Sequence, residues 1–215
     1  MSYKHVFFDL DGTLSDPSDG EIESVKYALE HFGIHETSQD ILRFFVGPPL
    51  KESFKQFYNM CDNDIHIAIQ KYREYFLTTG IYKNKIYPGI ENLLRLLRSQ
   101  GKKTYVVTSN PTEFAINMLK IIGLYDYFTG VYGSNMDGTR VVKAEILDYC
   151  FKCNLSINKS ESVMVGDRKY DVLGAHAVEI DAISVLYGFG SYEEIVDCSP
   201  RYIVNTVEEL QKILI

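Results

Sequence analysis

Short apolar runs alternate along the chain with stretches whose apolar residues recur every three or four positions. The run Val6-Phe7-Phe8 is branched or aromatic and bounded by polar residues, which indicates a buried strand. Similar runs occur in KTYVVTSN, at Val131-Tyr132, in SVMVGD and in DAISVL. Stretches with helical spacing separate them, from IENLLRLLRSQG to a final helix near Thr206. Strands that alternate with helices predict an α/β fold, with a parallel sheet covered by helices on both faces.

One block interrupts this alternation between roughly Ser18 and Tyr82. Its apolar residues keep helical spacing, as Ile22, Val25 and Leu29 do near its beginning, and nothing in it is typical of a strand. We therefore predict an all-helical insertion after the first strand. Residues 1–16 and 83–215 would form the α/β core, and residues 17–82 the inserted helical domain.

Polar residues follow the predicted strands at the points where those strands end. Ligands bind outside the carboxyl ends of the strands in open parallel sheets, so we expect these side chains to gather at one edge. The residues are Asp9, Asp11, Ser109, Asn110, Asp167 and Asp171, together with Lys143 at the start of a helix.

This collection of side chains suits phosphoryl transfer. Carboxylates are ligands for Mg²⁺, and Asp9 and Asp167 suit such a site. A carboxylate can also attack phosphorus to form an aspartyl-phosphate, while lysine and hydroxyl groups offset the phosphoryl charge. Asp11 could protonate the leaving oxygen. Gly12 would let the backbone approach the phosphoryl group, and Thr13 could add a hydrogen bond.

Composition excludes several other classes of protein. The chain has 215 residues, of which 46% are hydrophobic, and a formal net charge of −7, which argues against nucleic acid as a partner. No stretch is long enough for a membrane span, and the amino terminus does not resemble a signal peptide, so we expect a cytoplasmic protein. Its four cysteines and five histidines lack the spacing of a zinc site.

The motifs resemble those of the haloacid dehalogenase (HAD) superfamily. DLDGTLSD resembles its first motif, VVTSN its second, Lys143 its third and VGDRKYD its fourth, in the right order and over essentially the whole chain. The resemblance implies a Rossmann-like parallel-sheet core, an inserted helical cap domain and Mg²⁺ as the cofactor. Dehalogenases lack an acid/base at the position of Asp11, so this residue favours phosphate chemistry.

The resemblance also implies a role for each matching residue. Asp9 would be the nucleophile and a metal ligand, and Asp11 would be the acid/base and bind the metal through its backbone carbonyl. Asp167 would be a further metal ligand, and Asp171 would support the metal waters or Lys143. The residues that hold the transferring phosphoryl group would be Ser109, Asn110 and Lys143.

Two resemblances leave the substrate open. LRFFVGPPLKESF resembles the cap segment of phosphoglycolate phosphatase-like members, which makes Arg43 and Gly47 candidates for substrate contact. YGSNMDGTRVVKAEIL instead resembles a 5′-nucleotidase-like subgroup, and Ala144 stands where many phosphoglycolate phosphatases have proline. Phe44, Phe45 and Tyr58 would either offer surface for a nucleotide base or belong to the core of the cap.

The sequence therefore predicts a Mg²⁺-dependent phosphatase that acts through an aspartyl-phosphate on Asp9. Its partner would be a small phosphorylated metabolite such as phosphoglycolate, a nucleoside monophosphate or a sugar phosphate. Two alternatives remain: a phosphomutase that resembles β-phosphoglucomutase, and a catalytically silent binding or regulatory protein.

Overall fold

Tertiary contacts divide the chain into two compact units. The computed structural model describes residues 3–46, 50–137 and 139–215. One unit combines the segment up to Asp16 with Ile86–Ile215, and the other unit is Pro17–Lys85. Gly47, a candidate for substrate contact, lies outside the described residues.

A six-stranded parallel sheet forms the centre of the first unit. The strands of the protein are β1 (His5–Phe8), β2 (Ser15–Asp16), β3 (Lys85–Ile86), β4 (Lys103–Pro111), β5 (Gly130–Ser134), β6 (Ser162–Gly166), β7 (Asp181–Val185) and β8 (Tyr202–Val204). The large sheet has the order β5-β4-β1-β6-β7-β8, and β2 and β3 form a separate two-stranded sheet. Every pairing in the large sheet is parallel, which confirms the predicted α/β class.

Helices connect successive strands of the large sheet, as expected for parallel pairing. The α-helices within the described residues are α1 (Ser18–Glu30), α2 (Gln39–Arg43), α3 (Leu50–Tyr58), α4 (Asp62–Thr78), α5 (Ile90–Ser99), α6 (Thr112–Ile121), α7 (Lys143–Cys153), α8 (Lys169–Ala177), α9 (Tyr192–Val196) and α10 (Val207–Leu214). Turns of 3₁₀ helix lie at Gly80–Lys83, Tyr125–Tyr127 and Lys159–Glu161. Among the described residues, every helix is too short or too polar to span a bilayer.

The first strand lies inside the sheet, between β4 and β6, and its side chains are apolar on both faces. Val6, Phe7 and Phe8 are fully buried, as expected for a strand covered on both sides. The ring of Phe7 stacks on Tyr105 with centroids 5.0 Å apart and meets the edge of Phe151 at 5.4 Å. This central position places the residues that follow β1 between the ends of β4 and β6.

The second unit, Pro17–Lys85, is built from α1 to α4 and a 3₁₀ turn. These helices bury a separate apolar core, in which Phe54 meets Phe45 edge to face with ring centroids 5.0 Å apart. Val25 and Leu29 of α1 belong to the same core, as their helical spacing predicts. The unit therefore has its own hydrophobic interior.

Two elements near the carboxyl end were not predicted. β8 has three residues, YIV, and pairs with β7 at the edge of the sheet. α9 has five residues and begins at Ser191, whose hydroxyl accepts the backbone N–H of Glu194. Both are too short to show a clear periodicity, so their structure depends on packing against neighbouring elements.

We predict that Leu97→Ala in α5 lowers the free energy of unfolding by about 2 to 5 kcal/mol, because Leu97 is fully buried in the first unit. Leu155→Ala is the matched control, since the Leu155 side chain is 90% exposed, and should change stability by less than about 0.5 kcal/mol. Urea unfolding measures both values. Equal effects of the two substitutions would contradict this packing.

Candidate active site

The carboxyl ends of β1, β4 and β6 bring polar side chains from distant segments together. Asp9 follows β1, and its backbone N–H donates to the carbonyl of Val165 at 2.9 Å, which continues the pairing with β6. Asn110 lies near the end of β4, and Asp167 directly follows β6. The expected gathering of polar residues at one edge of the sheet is therefore present in the first unit.

Lys143 is the cation at the centre of this cluster. Its side chain is 3% exposed, and Nζ lies 2.9 Å from Asp9 Oδ1 and 2.9 Å from Asp171 Oδ1. Nζ also donates to the carbonyl of Val107 at 3.1 Å. Three oxygens therefore lie within 3.1 Å of Nζ, as many as an ammonium group has N–H donors. Burial alone would lower the pKa of Lys143, but the charges of Asp171 and Asp9 outweigh it and hold this pKa above its ordinary value.

Three carboxylates form a compact set of oxygen donors beside this lysine. Asp9, Asp167 and Asp171 each offer an oxygen, and these oxygens lie within 4.8 Å of one another. Burial, and after it the charges of Asp9 and Asp171, raise the pKa of Asp167 to about 8. Burial likewise raises the pKa of Asp171 to about 6, against the opposing effect of Lys143.

This donor set fits a hard divalent cation. All the donors are oxygens, the type of ligand that Mg²⁺ prefers. With Asp11 included, four carboxylates surround one ammonium, so the ionised cluster carries a formal charge of −3. Burial is the main cause of the raised pKa values of Asp167 and Asp171, and the charge of Asp9 raises both of them as well.

Asp11 is held by an amide rather than by a cation. Its Oδ2 accepts a hydrogen bond from Asn110 Nδ2 at 2.6 Å. Its Oδ1 is buried and has no hydrogen-bond partner among the described residues. Burial and the nearby charge of Asp9 raise the pKa of Asp11 to about 7, against the opposing effect of Asn110. A carboxyl group with a pKa near neutrality can both donate and accept a proton.

The turn after β1 packs tightly against Asp167. Gly12 has a φ of 82°, a conformation that glycine adopts without strain, and an added Cβ would overlap the Asp167 carboxylate. Thr13 is fully buried, and its hydroxyl donates to Asp167 Oδ1 at 3.3 Å. The Thr13 side chain, a candidate for substrate contact, therefore bonds a carboxylate of the cluster.

The remaining candidates differ in their surroundings. Ser109 is exposed, and its hydroxyl donates to the carbonyl of Val141 at 3.3 Å. Arg43 ends α2 in the helical unit and is exposed. Of the aromatic residues considered for base contact, Phe45 is buried and the Tyr58 hydroxyl donates to Glu36 at 2.8 Å, whereas Phe44 is 59% exposed.

One contact to the cluster was missed from the sequence. The backbone N–H of Phe189, in the loop after β7, donates to Asp167 Oδ2 at 2.8 Å. The glycines in YGFG directly after the strand DAISVL were the available signal, because β7 is parallel to β6 and its end lies at the same edge. A backbone donor leaves no side-chain signature, which explains the omission.

Comparisons with known proteins identify a family and several relatives that this chain resembles. The family model described as haloacid dehalogenase-like hydrolase matches residues 6–185. A 5′-nucleotidase from Pseudomonas aeruginosa is 36% identical over 214 residues, which cover 100% of this chain and 96% of that protein. Tyrosine-protein kinase PtkA from Mycobacterium tuberculosis is 33% identical over 211 residues, 97% of this chain and 72% of that protein. A solved structure of a candidate phosphatase from Clostridium difficile has a TM-score of 0.95 and 45% identity, with 100% of each chain covered.

The match to the family model spans most of the chain, so this protein belongs to the haloacid dehalogenase-like hydrolases. The resemblance read from the motifs is thereby confirmed. The nucleotidase relative and the phosphatase neighbour define its enzyme class as a phosphatase.

Ionisation of Asp167 should make the metal-free protein less stable as the pH rises. Its pKa increases from 3.8 to about 8 on folding, so the folded state holds this proton more tightly than the unfolded state. The resulting stability is fully present below about pH 4 and is lost as the pH rises through about 8. In EDTA, Asp167→Asn should therefore gain stability relative to wild type between about pH 5 and pH 9, by roughly 2 to 4 kcal/mol.

Urea unfolding at several pH values measures this difference. The hydrogen bond that the asparagine cannot accept adds a constant offset, so the trend with pH is the quantity of interest. Asp148→Asn, at an exposed position on α7, is the matched control. A stability difference for Asp167→Asn that stays constant over this range would contradict a buried carboxyl group that resists ionisation.

Proposed function

We propose that this protein is a Mg²⁺-dependent phosphatase that hydrolyses small phosphorylated metabolites through an aspartyl-phosphate, an acyl phosphate on Asp9. The observation that carries the proposal is the Asp9 carboxylate, held by the buried Lys143 within a cluster of oxygen donors and followed by the acid Asp11. Each part of such a reaction has a residue of suitable chemistry at this edge of the sheet.

Asp9 is suited to nucleophilic attack because one of its oxygens is anchored. Oδ1 accepts the N–H of Leu10 at 2.8 Å and pairs with Lys143. We assign the attack to Oδ2, which forms a bond to phosphorus while the bond from phosphorus to the leaving oxygen breaks. Water then attacks the Asp9 phosphate, which releases inorganic phosphate and restores the carboxylate.

Asp11 is suited to both proton transfers. Its pKa of about 7 allows it to carry a proton near neutral pH and give it to the leaving oxygen. The resulting carboxylate would then take a proton from the attacking water. The hydrogen bond from Asn110 fixes the orientation of this carboxyl group, so Asn110 would act through Asp11 as well as near the phosphoryl group.

The residues that would hold Mg²⁺ are Asp9 and Asp167, the backbone carbonyl of Asp11, and Asp171 either directly or through water. When bound there, Mg²⁺ supplies positive charge that offsets the oxygens of the transferring phosphoryl group. Lys143 would fix Asp9 and Asp171 relative to each other. Its N–H groups would have to exchange partners before one of them could bind the phosphoryl group directly.

We further propose a nucleoside monophosphate as the first substrate to test, ahead of phosphoglycolate and sugar phosphates. Support comes from the 36% identity with a 5′-nucleotidase over the whole chain. Residues 17–82 would serve as the cap domain, and residues 1–16 and 83–215 as the catalytic core. Arg43, Gly47 and the exposed ring of Phe44 are the cap residues proposed for substrate selection.

The four free cysteines fit a reducing compartment such as the cytoplasm.

A second candidate function is phosphoryl transfer to a protein tyrosine. It is favoured by the 33% identity with Tyrosine-protein kinase PtkA over 97% of the chain. Asp9 would be the acceptor in that reaction as well, so substitution of Asp9 alone does not separate the two functions. The two functions differ in the final acceptor of the phosphoryl group, which is water in a phosphatase and a tyrosine in the second candidate.

The deciding experiment measures phosphate release from a panel of nucleoside monophosphates, phosphoglycolate and sugar phosphates, with Mg²⁺ or with EDTA. We expect Mg²⁺-dependent release by wild type and a loss on the order of 10³-fold or more in Asp9→Asn, because this change removes the nucleophile. Asp148→Asn, at an exposed position, is the matched control and should retain wild-type rates.

Other outcomes identify the alternatives. Interconversion of sugar phosphates without phosphate release would indicate a phosphomutase. Transfer of phosphate from ATP to a tyrosine peptide, lost in Asp9→Asn, would indicate the second candidate. If folded wild type is inactive in every arm with Mg²⁺ present, the phosphatase proposal is wrong and a silent binding protein remains.

A further inference from the structure

The segment Tyr187–Glu194, which follows β7, makes a series of contacts around Asp167 that the reaction proposed above does not use. The segment contacts the turn after β1, the Asp167 side chain and the two residues that follow Asp167. We infer that Tyr187–Glu194 is a positioning segment that fixes the Asp167 carboxylate for cation binding, with Tyr187 and Glu194 as its positioning residues. This inference rests on the proposed function.

Tyr187 acts on Asp167 through the turn that follows β1. Its hydroxyl donates to the backbone carbonyl of Thr13 at 3.0 Å, and the Thr13 hydroxyl donates to Asp167 Oδ1 at 3.3 Å. The Tyr187 ring packs beside Tyr87 with centroids 4.9 Å apart, which restricts its orientation. One side of the carboxylate is therefore oriented through a chain of two hydrogen bonds.

The backbone of the segment holds the other oxygen directly. The N–H of Phe189 donates to Asp167 Oδ2 at 2.8 Å. Gly188 permits this approach, because a Cβ added there would overlap both the carbonyl of Gly12 and the side chain of Asp167. The two carboxylate oxygens thus have separate donors, which sets the rotation of the group.

Glu194 holds the backbone that continues from Asp167 into α8. Its Oε1 accepts Arg168 Nε at 2.9 Å and the backbone N–H of Lys169 at 3.1 Å. These two residues directly follow Asp167, so the carboxylate of Glu194 fixes the chain where Asp167 leaves β6. Outer contacts of this kind orient metal ligands, and losing one typically weakens metal affinity about 10- to 100-fold.

The test measures Mn²⁺ binding to the substrate-free protein, by loss of the free-ion electron paramagnetic resonance signal, beside the thermal melting temperature. Mn²⁺ is the probe because it takes the same oxygen ligands as Mg²⁺. We expect Tyr187→Phe and Glu194→Ala each to raise the dissociation constant about tenfold. Glu194→Gln should restore much of the affinity, because its amide oxygen can accept the same two hydrogen bonds.

Two controls separate positioning from general stability. Tyr3→Phe removes a tyrosine hydroxyl that donates to Asp181 at 2.6 Å, at the amino end of β7. Glu209→Ala removes a carboxylate that accepts the backbone N–H of Asn205 at 2.7 Å, beside the start of α10. Both should alter melting while leaving Mn²⁺ affinity within about twofold of wild type.

Each outcome decides a different claim. If Asp167→Asn loses Mn²⁺ binding while Tyr187→Phe and Glu194→Ala stay within twofold of wild type, the segment is only structural and the inference is wrong. If Asp167→Asn itself binds Mn²⁺ like wild type, the cation site in the proposed function is wrong and the inference fails with it. If Tyr3→Phe and Glu209→Ala weaken Mn²⁺ binding as much as Tyr187→Phe and Glu194→Ala do, the segment has no specific role and the inference is wrong.

Discussion

The buried ammonium of Lys143 is the interaction on which the arrangement at the edge of the sheet depends. It joins Asp9 at the end of β1 to Asp171 in the first turn of α8, and its third N–H bonds the carbonyl of Val107 in β4. A buried lysine is stable only when carboxylates offset its charge, and these carboxylates in turn need the lysine. The two ion pairs and this hydrogen bond therefore hold α7, α8, β1 and β4 in one geometry.

The sheet makes this ion-pair network possible because all of its strands run in the same direction. β1 lies between β4 and β6, so three chain segments end side by side and deliver Asp9, Asn110 and Asp167 to a common edge. The carboxylates of the aspartates at this edge repel one another, and each is stabilised by different partners. Asp11 is bonded by Asn110, while Asp167 accepts hydrogen bonds from Thr13 and the backbone of Phe189.

This division of environments explains how one cluster of aspartates can serve distinct chemical tasks. Asp9 is paired with a cation, whereas Asp11 has a pKa raised by burial and by the charge of Asp9. In the proposed reaction, similar side chains with different surroundings would supply an anionic group and a proton carrier two positions apart in the chain. The excess negative charge that remains is of the kind that a divalent cation neutralises.

The sequence by itself determined the α/β class, the helical block and most of the polar residues at the strand ends. These features follow from local periodicity and from the rule that parallel strands end at one edge. Only the tertiary structure decided which hydrogen-bond partners each of these polar side chains has. Thr13 bonds Asp167, Asn110 bonds Asp11, and the loop after β7 reaches Asp167 through a backbone N–H. Hydrogen-bond partners depend on distances between segments far apart in the chain, which local patterns do not encode.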